Sequence, residues 1–319
     1  MRVTVVGGGL AGLVAARRAL ELGFSATLLE KGDRLGGSFV YSSGYIWSYK
    51  DLQTFREEAP AGDETLQRLI LDRLGTSLSW LEDQGAPVLS RETGNPLTVG
   101  ARFDPSPTVT ALSEHITAGG RVFPGTALQS LVRDARGRVQ GVRVVSGGES
   151  WTEESDAVIL ASGGFAANQE LVGRYIVRGA GNMRLRAHPW STGDGFLAAL
   201  AAGARASAAL DEFYGRNMPA PPALFPPERF VEVSQLYGRY AVALNQRGER
   251  YADEAGDWSE TALTRATARQ PGLRAWYLVD QAGLRRRAGP APRACLQAPP
   301  GCRPRARSPR PLWPWPPSP

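Results

Sequence analysis

Three glycines and one glutamate carry the clearest chemistry in this chain. Gly7, Gly9 and Gly12 fit the spacing G-x-G-x-x-G, and Glu30 follows Gly12 by 18 residues. Gly7 permits a tight turn, Gly9 lets backbone approach a pyrophosphate, and Gly12 lets a helix pack close to a strand. A helix N-terminus offers free N–H groups and a partial positive charge to phosphates. An acid about 20 residues beyond the glycines suits a ribose hydroxyl. Together these residues predict a dinucleotide site. An ordinary strand–helix turn explains one glycine but leaves Glu30 without a purpose.

The surrounding elements are the ones needed to hold such residues. Residues 2–6, RVTVV, form a β-branched run expected as a buried parallel strand. Residues 10–22 have helical spacing, with Leu13, Ala16, Ala19 and Leu20 along one side, and residues 25–30 read as a second strand ending at Glu30. Gly36, Gly37 and Ser38 follow, then SSGYIW at 42–47. A second glycine pair beyond the acid suits a cofactor lying extended across the domain, although a glycine-rich loop alone would look the same. Residues 157–161, AVILA, are expected as another buried strand, ending in Ser162, Gly163 and Gly164. Glycines at that strand end, with Gly36 and Gly37, favour FAD over NAD. In STGDGFLAALAAGA (191–204), Thr192 or Asp194 could cap the following helix. Alternatively, Asp194 faces the cofactor.

Further along, residues 63–84 read as an amphipathic helix, with Leu66, Leu69, Ile70, Leu74, Leu78 and Leu81 expected to face the core. Residues 108–118 read as a helix. Residues 121–123, 127–133 and 139–145 read as strands, with DARGR (134–138) as a hairpin turn. The net charge of +6 misleads, because residues 284–319 contain eight Arg, no Asp or Glu, and 11 of the 24 Pro. The rest is near neutral, which argues against a nucleic-acid surface. Cys295 and Cys302 have no metal-site spacing, and no metal is expected. No apolar run is long enough to span a membrane. The first strand starts at Arg2, so a soluble cytoplasmic protein is expected. The Arg/Pro-rich end should be disordered. It reads as a reading-frame shift in a GC-rich gene, as a basic binding tail, or as an unremarkable terminus, with the first favoured by the near-exclusive use of Arg over Lys in the body.

With these segments together, the chain resembles the flavoprotein subunits of the fumarate reductase and succinate dehydrogenase superfamily. The resemblance rests on GGGLAG, Glu30-Lys31, LGGSFVYSSGYIW, VILASGGF, STGDGF and NQRGERYADE, in that order, over residues 1–284. GGSFVYSSGYIW leans toward the ketosteroid dehydrogenase branch. EFYGRNMPAPP, RYADEAGDW and QPGLRAWYLVD look more like the tricarballylate dehydrogenase branch. The resemblance implies an α/β fold: a glutathione-reductase-type Rossmann FAD-binding domain over 1–206, an α+β capping domain begun over 207–283, and a tail over 284–319. It implies FAD, with Ala11 and Gly12 at the pyrophosphate and Glu30, followed by Lys31, at the adenosine ribose. Gly37, Ser38 and Gly44 would follow the ribitol and isoalloxazine. Ala161, Ser162 and Gly163 would line the adenine side, and Asp194 would touch the cofactor.

The implied reaction is oxidation or reduction of a C–C bond next to a carbonyl or carboxylate in a small molecule, with a hydride passing to or from flavin N5. A protein group would move the neighbouring proton. Two features depart from the family. Trp258 stands where fumarate reductases carry an acidic-proton Arg, which argues against fumarate reduction by that mechanism. The family's C-terminal part, which closes over the flavin, is expected to be missing. Tyr214, Arg216 and Arg250 are the candidate substrate contacts, with Arg250 equally suited to pair with Glu254. A fragment unable to retain FAD and an adaptor using the basic tail are the competing expectations.

Overall fold

The β-branched run at Arg2–Val6 forms β1, buried at every position after Arg2. A run buried on both faces belongs at the centre of a parallel sheet. The chain turns through the glycines into α1 (Leu10–Glu21), which buries Gly12, Leu13, Ala16 and Ala19 along one face. Gly23, at a φ of 77°, ends it by donating its N–H to the Leu20 carbonyl. The return strand β2 (Ser25–Leu29) pairs parallel with β1. The computed structural model describes residues 1–256 and 260–286. Trp258 and almost all of the Arg/Pro-rich end lie outside the described residues.

A second, antiparallel sheet follows, built from β3 (Tyr45–Tyr49) with two later strands and flanked by α2 (Leu52–Glu58) and α3 (Glu64–Asp83). Its partners are β4 (Val88–Ser90) and β5 (Thr98–Phe103), in the order β3-β5-β4. α4 (Pro105–Gly119) then leads to β6 (Arg121–Phe123), which pairs parallel with β2. An antiparallel meander follows: β7 (Ala127–Arg133), β8 (Val139–Ser146) and β9 (Glu149–Glu154). Its first turn is the expected hairpin at residues 134–138, where the Asp134 carboxylate accepts from the N–H groups of Arg136 and Arg138 at 2.9 Å each. β10 (Ala157–Leu160) returns to the parallel sheet, giving the order β10-β1-β2-β6.

The parallel sheet is covered on both faces. One core holds Val3, Val5, Leu13, Leu28, Phe103, Leu112 and Ile116, from the sheet, α1, α4 and β5. The opposite core holds Val6, Leu29, Leu128, Val142, Val144 and Ala198, where the meander packs. Beyond lie α5 (Gln169–Tyr175), α6 (Asp194–Ala201) and α7 (Phe230–Val233). A two-stranded antiparallel ribbon joins β11 (Val242–Leu244) to a later strand, with α8 (Thr261–Ala268) between them. That strand is β12 (Trp276–Leu278), and α9 (Gln281–Arg286) closes the described chain.

Three expectations are corrected. α3 forms as foreseen, capped by Asp63, but it buries only Gln67 and Leu81. Leu66, Leu69 and Ile70 are exposed, because among the described residues the first half of the helix is covered only on its Gln67 side, by Arg56 and Ala59. β10 is an edge strand rather than a buried one: Ile159 and Leu160 are 38% and 37% exposed, since no described strand pairs on its outer side. Neither Thr192 nor Asp194 caps α6. Gly193, in the left-handed region at a φ of 87°, is the cap residue, and Asp194 is the first residue of the helix.

Gly12 shows how tightly the first crossover is packed. A Cβ there would stand 1.8 Å from the Gly7 carbonyl oxygen, a backbone atom that cannot rotate away. Gly12→Ala is expected to destabilise the fold by about 3 kcal/mol or more. Gly75, in mid-α3, would place a Cβ in open space, so Gly75→Ala should add about 1 kcal/mol. Urea unfolding of the two variants checks the contrast.

Candidate cofactor and substrate site

The glycines of the first crossover do different jobs. Gly7 adopts a φ of 106°, and a Cβ on it would collide with the Ala161 carbonyl at 2.5 Å. Gly7 and Gly12 are therefore demanded by packing within the chain. Gly9 is not. A Cβ there would meet nothing nearer than the Gly37 Cα at 4.0 Å. Its missing side chain leaves room beside the N-terminus of α1. No side chain caps that terminus, and Ala11 is exposed. The first N–H groups of a helix have no partner within it. The second glycine pair joins this cradle directly: the Gly36 N–H donates to the Gly8 carbonyl at 2.8 Å, and a Cβ on Gly37 would stand 3.0 Å from the Gly9 Cα.

Glu30, just past β2, is buried. Its carboxylate accepts from the Gly8 N–H and the Gly32 N–H, each at 2.6 Å. It thus ties the glycine turn to the chain leaving β2. Its backbone N–H donates to the Phe123 carbonyl, and its carbonyl accepts from the Thr126 N–H, which brings the start of the meander alongside. A small pocket, open to solvent, lies here between the C-terminal ends of β1 and β2. Ligands of open α/β sheets collect at that edge. Glu30, Lys31, Thr126, Ser162, Trp190 and Asp194 contribute to its wall.

One wall is an ionic lock. The Lys31 ammonium donates to Thr192 Oγ1 at 2.6 Å and to Asp194 Oδ2 at 2.8 Å. Thr192 Oγ1 in turn donates to Asp194 Oδ1 at 2.8 Å. Asp194 is therefore neutralised by Lys31 rather than free. Ser162 packs under α6, since a Cβ on Gly195 would stand 2.2 Å from its hydroxyl. Trp190 was missed by sequence reasoning. Its ring lies against Gly32, where a Cβ would meet it at 2.7 Å, and the Lys31 ammonium stands 5.6 Å from the ring centroid. The only signal in the sequence was an aromatic residue shortly before the TGDG segment.

Gly44 is buried against β5, where a Cβ would stand 2.0 Å from the Phe103 carbonyl. Ser38 is exposed, and its hydroxyl accepts from the His188 N–H at 2.9 Å. The His188 ring stacks on Tyr41 at 5.8 Å, and Tyr41 meets Phe230 edge-on at 6.2 Å. Ala161 and Gly163 lie at the exit of β10, with Gly163 at a φ of 73°. Open space at Gly9, an uncapped helix start, an acid at the end of β2 and a cavity beside it fit an extended dinucleotide.

The three candidate substrate contacts are divided. Tyr214 is 65% exposed, and the Arg216 guanidinium lies 4.5 Å above its ring. Arg250 does not join them: among the described residues its side-chain hydrogen bonds all run to Glu254, the closest at 2.6 Å. Glu254 is buried and also accepts from the Ala243 N–H at 2.7 Å. Burial alone would push the Glu254 carboxyl up. The Arg250 guanidinium and the Ala243 N–H outweigh it and hold the group below the ordinary carboxylate range.

The FAD binding domain family model matches residues 2–288. A vinyl phenol reductase of Lactiplantibacillus plantarum is 25% identical over 284 residues, covering 79% of this chain and 56% of its own. A urocanate reductase of Eggerthella lenta is 26% identical over 279 residues, covering 79% of this chain and 45% of its own. The chain thus spans about half the length of the curated relatives it matches. A solved 3-ketosteroid-Δ4-(5α)-dehydrogenase from Rhodococcus jostii RHA1 superposes with a TM-score of 0.68 at 20% identity, covering 89% of this chain and 67% of that one. At that identity the likeness speaks for the fold alone.

Two outcomes follow for the carboxylates. Glu30→Ala strips an acceptor from two buried-side N–H groups and should cost about 3 kcal/mol in urea unfolding, while Glu30→Gln should recover only part, because its amide nitrogen faces one of those donors. The Glu254 contribution, from a carboxyl held low, is fully present above the ordinary carboxylate value. It is lost as pH falls through the lowered one. Unfolding followed from pH 6 to 3 should therefore fall less steeply in Glu254→Gln than in the wild type.

Proposed function

The chain belongs to the FAD binding domain family, and from that premise we propose that it is a flavin-dependent oxidoreductase acting on a C–C bond next to a carbonyl or carboxylate. The observation that carries this reading is the cradle at Gly9: an uncapped helix N-terminus with space in front of it, framed by glycines that packing requires. Bound FAD would supply hydride exchange with the substrate carbon. The two curated relatives are both reductases, which supports the same class.

In this reading the N–H groups of Ala11 and Gly12 hold the pyrophosphate. Glu30 turns a carboxylate oxygen to the adenosine ribose while bracing the loop around it. Ala161, Ser162 and Gly163 flank the adenine side, where Trp190 offers a flat face. The Lys31–Asp194 pair fixes the 190–194 segment against the end of β2 and keeps the cavity wall in place. Gly36, Gly37, Ser38 and Gly44 let the ribitol and ring system run along the backbone toward Tyr41 and His188. Residues 207–283 form the part that covers the substrate. Tyr214 and Arg216 touch it, polarise its carbonyl or carboxylate and exchange the proton on the neighbouring carbon. Arg250 positions the 250–254 turn through Glu254 and does not touch the substrate.

The purified chain, titrated with FAD, should take up the cofactor and show a visible flavin spectrum that bleaches with a reductant. A colourless chain that cannot take up FAD would overturn the proposal. Gly9→Ala should unfold like the wild type and yet lose FAD. Trp190→Ala should weaken FAD by about ten- to a hundredfold, from the 1–3 kcal/mol of a base–aromatic stack, and leave FMN, which has no adenine, unchanged.

A further inference from the structure

A cavity of about 400 Å³ lies at the opposite end of the parallel sheet from the glycine cradle, where the starts of β1 and β10 meet the meander. One row across the meander helps to open it. Val132 on β7, Gly141 on β8 and Glu154 on β9 stand side by side, with a bulge next to Val132. Val132 and Glu154 line the cavity, and the residue between them has no side chain. Gly141 could not carry one: at its φ of 154°, a Cβ would stand 2.3 Å from the Glu153 carbonyl oxygen. A glycine inside a strand marks a bulge or a place where something comes close to the backbone.

The wall is charged, and its charges are unevenly matched. Arg2 reaches Glu154 at 3.3 Å and Asp156 at 3.5 Å, so one guanidinium serves two carboxylates. Asp134 accepts from two backbone N–H groups, and Arg138 has no ion pair among the described residues. These three carboxylates and two guanidinium groups leave one excess negative charge on the wall. Among the described residues no group of His, Cys, Asp or Glu is placed to hold a metal ion, so the carboxylates suit an organic cation. The Gln140 amide and the Thr152 hydroxyl also line the cavity, and neither forms a hydrogen bond among the described residues.

The buried floor adds a donor. Ser155 is 3% exposed, and its hydroxyl shares a single hydrogen bond with the Thr4 hydroxyl, which is also buried. Two hydroxyls carry two protons, and one bond between them uses only one. Ser155 lines the cavity. When Thr4 donates, the Ser155 proton is free for a ligand.

We propose that this cavity binds a free basic amino acid. Such a ligand carries one carboxylate and two cationic groups, so its net charge balances the excess on the wall. The planar fork of Arg138 takes the two carboxylate oxygens. Glu154 and Asp156, which share one guanidinium, take an ammonium group, and Asp134 faces the other. Gln140, Thr152 and Ser155 supply the remaining hydrogen bonds. The site stands apart from the cofactor cradle and does not rest on the flavin reading.

The test titrates L-lysine into the chain by calorimetry and by thermal unfolding. Two controls run beside it: L-norleucine, which lacks the second ammonium, and Nα-acetyl-lysine amide, which keeps only that group. Lysine should bind and raise the unfolding temperature, and each control should bind at least tenfold more weakly. Arg138→Met and Glu154→Gln should each lose at least tenfold in lysine affinity. Both should unfold at the wild-type temperature, because Arg138 has no ion pair and the exposed Arg2–Glu154 pair contributes little. Both should take up FAD as the wild type does. If one variant does not fold, the other decides. Absence of lysine binding, or unchanged lysine affinity in a folded variant, overturns the site. Norleucine binding as tightly as lysine overturns the basic ligand. Acetyl-lysine amide binding as tightly overturns the free amino acid and assigns the cavity to a lysine side chain of a polypeptide. Failure of the wild type to take up FAD while lysine binds overturns the flavin reading alone and leaves this site standing.

Discussion

Everything at the site depends on how closely three stretches of backbone approach one another around Gly7. The turn after β1 lies against the exit of β10, and the start of α1 lies against that turn. At Gly7 and Gly12 a single Cβ would overlap a carbonyl oxygen. Such contacts cannot relax by a change of rotamer, because both partners are main chain. The Gly36–Gly37 turn closes on the same point through the Gly36 N–H. The result is a rigid floor from which the α1 N–H groups point outward, with open space kept only at Gly9.

Charge around this floor is arranged in two ways. On the cofactor side it is balanced within the chain: Glu30 is satisfied by two backbone N–H groups and Asp194 by Lys31. These carboxylates organise the loops of the cavity wall through contacts within the chain. On the far side the balance fails. Arg184 and Arg216 are oriented by aromatic rings and carbonyls, and among the described residues no carboxylate forms an ion pair with either of them or with Arg186.

Exposure follows from what covers each element. α3 has a regular apolar stripe, yet only its C-terminal end packs into the core, beside Ala86 and Phe103. β10 presents Ile159 and Leu160 because it forms the edge of the parallel sheet. The chain spans about half the length of its curated relatives. Periodicity specifies which face of an element is apolar, but not whether a neighbour lies over that face.

Local order was legible in the amino-acid sequence by itself. β1, α1, β2, α4, β6, the meander's first hairpin and the glycine–acid spacing all rest on interactions within a few residues, such as β-branching, helical period and turn chemistry, and these carry the family resemblance as well. The second sheet, β3-β5-β4, was not legible, because β3 finds its partner β5 some fifty residues away and β4 is only three residues long. Tertiary structure alone decided that Asp194 pairs with Lys31 across 163 residues, that Trp190 lies on Gly32, and that Arg250 is taken up by Glu254 while Arg186 is left unpaired. Each of these is a contact between segments that chain connectivity does not bring together. Which charge is neutralised within the chain is set only when the folded backbone places its partner beside it.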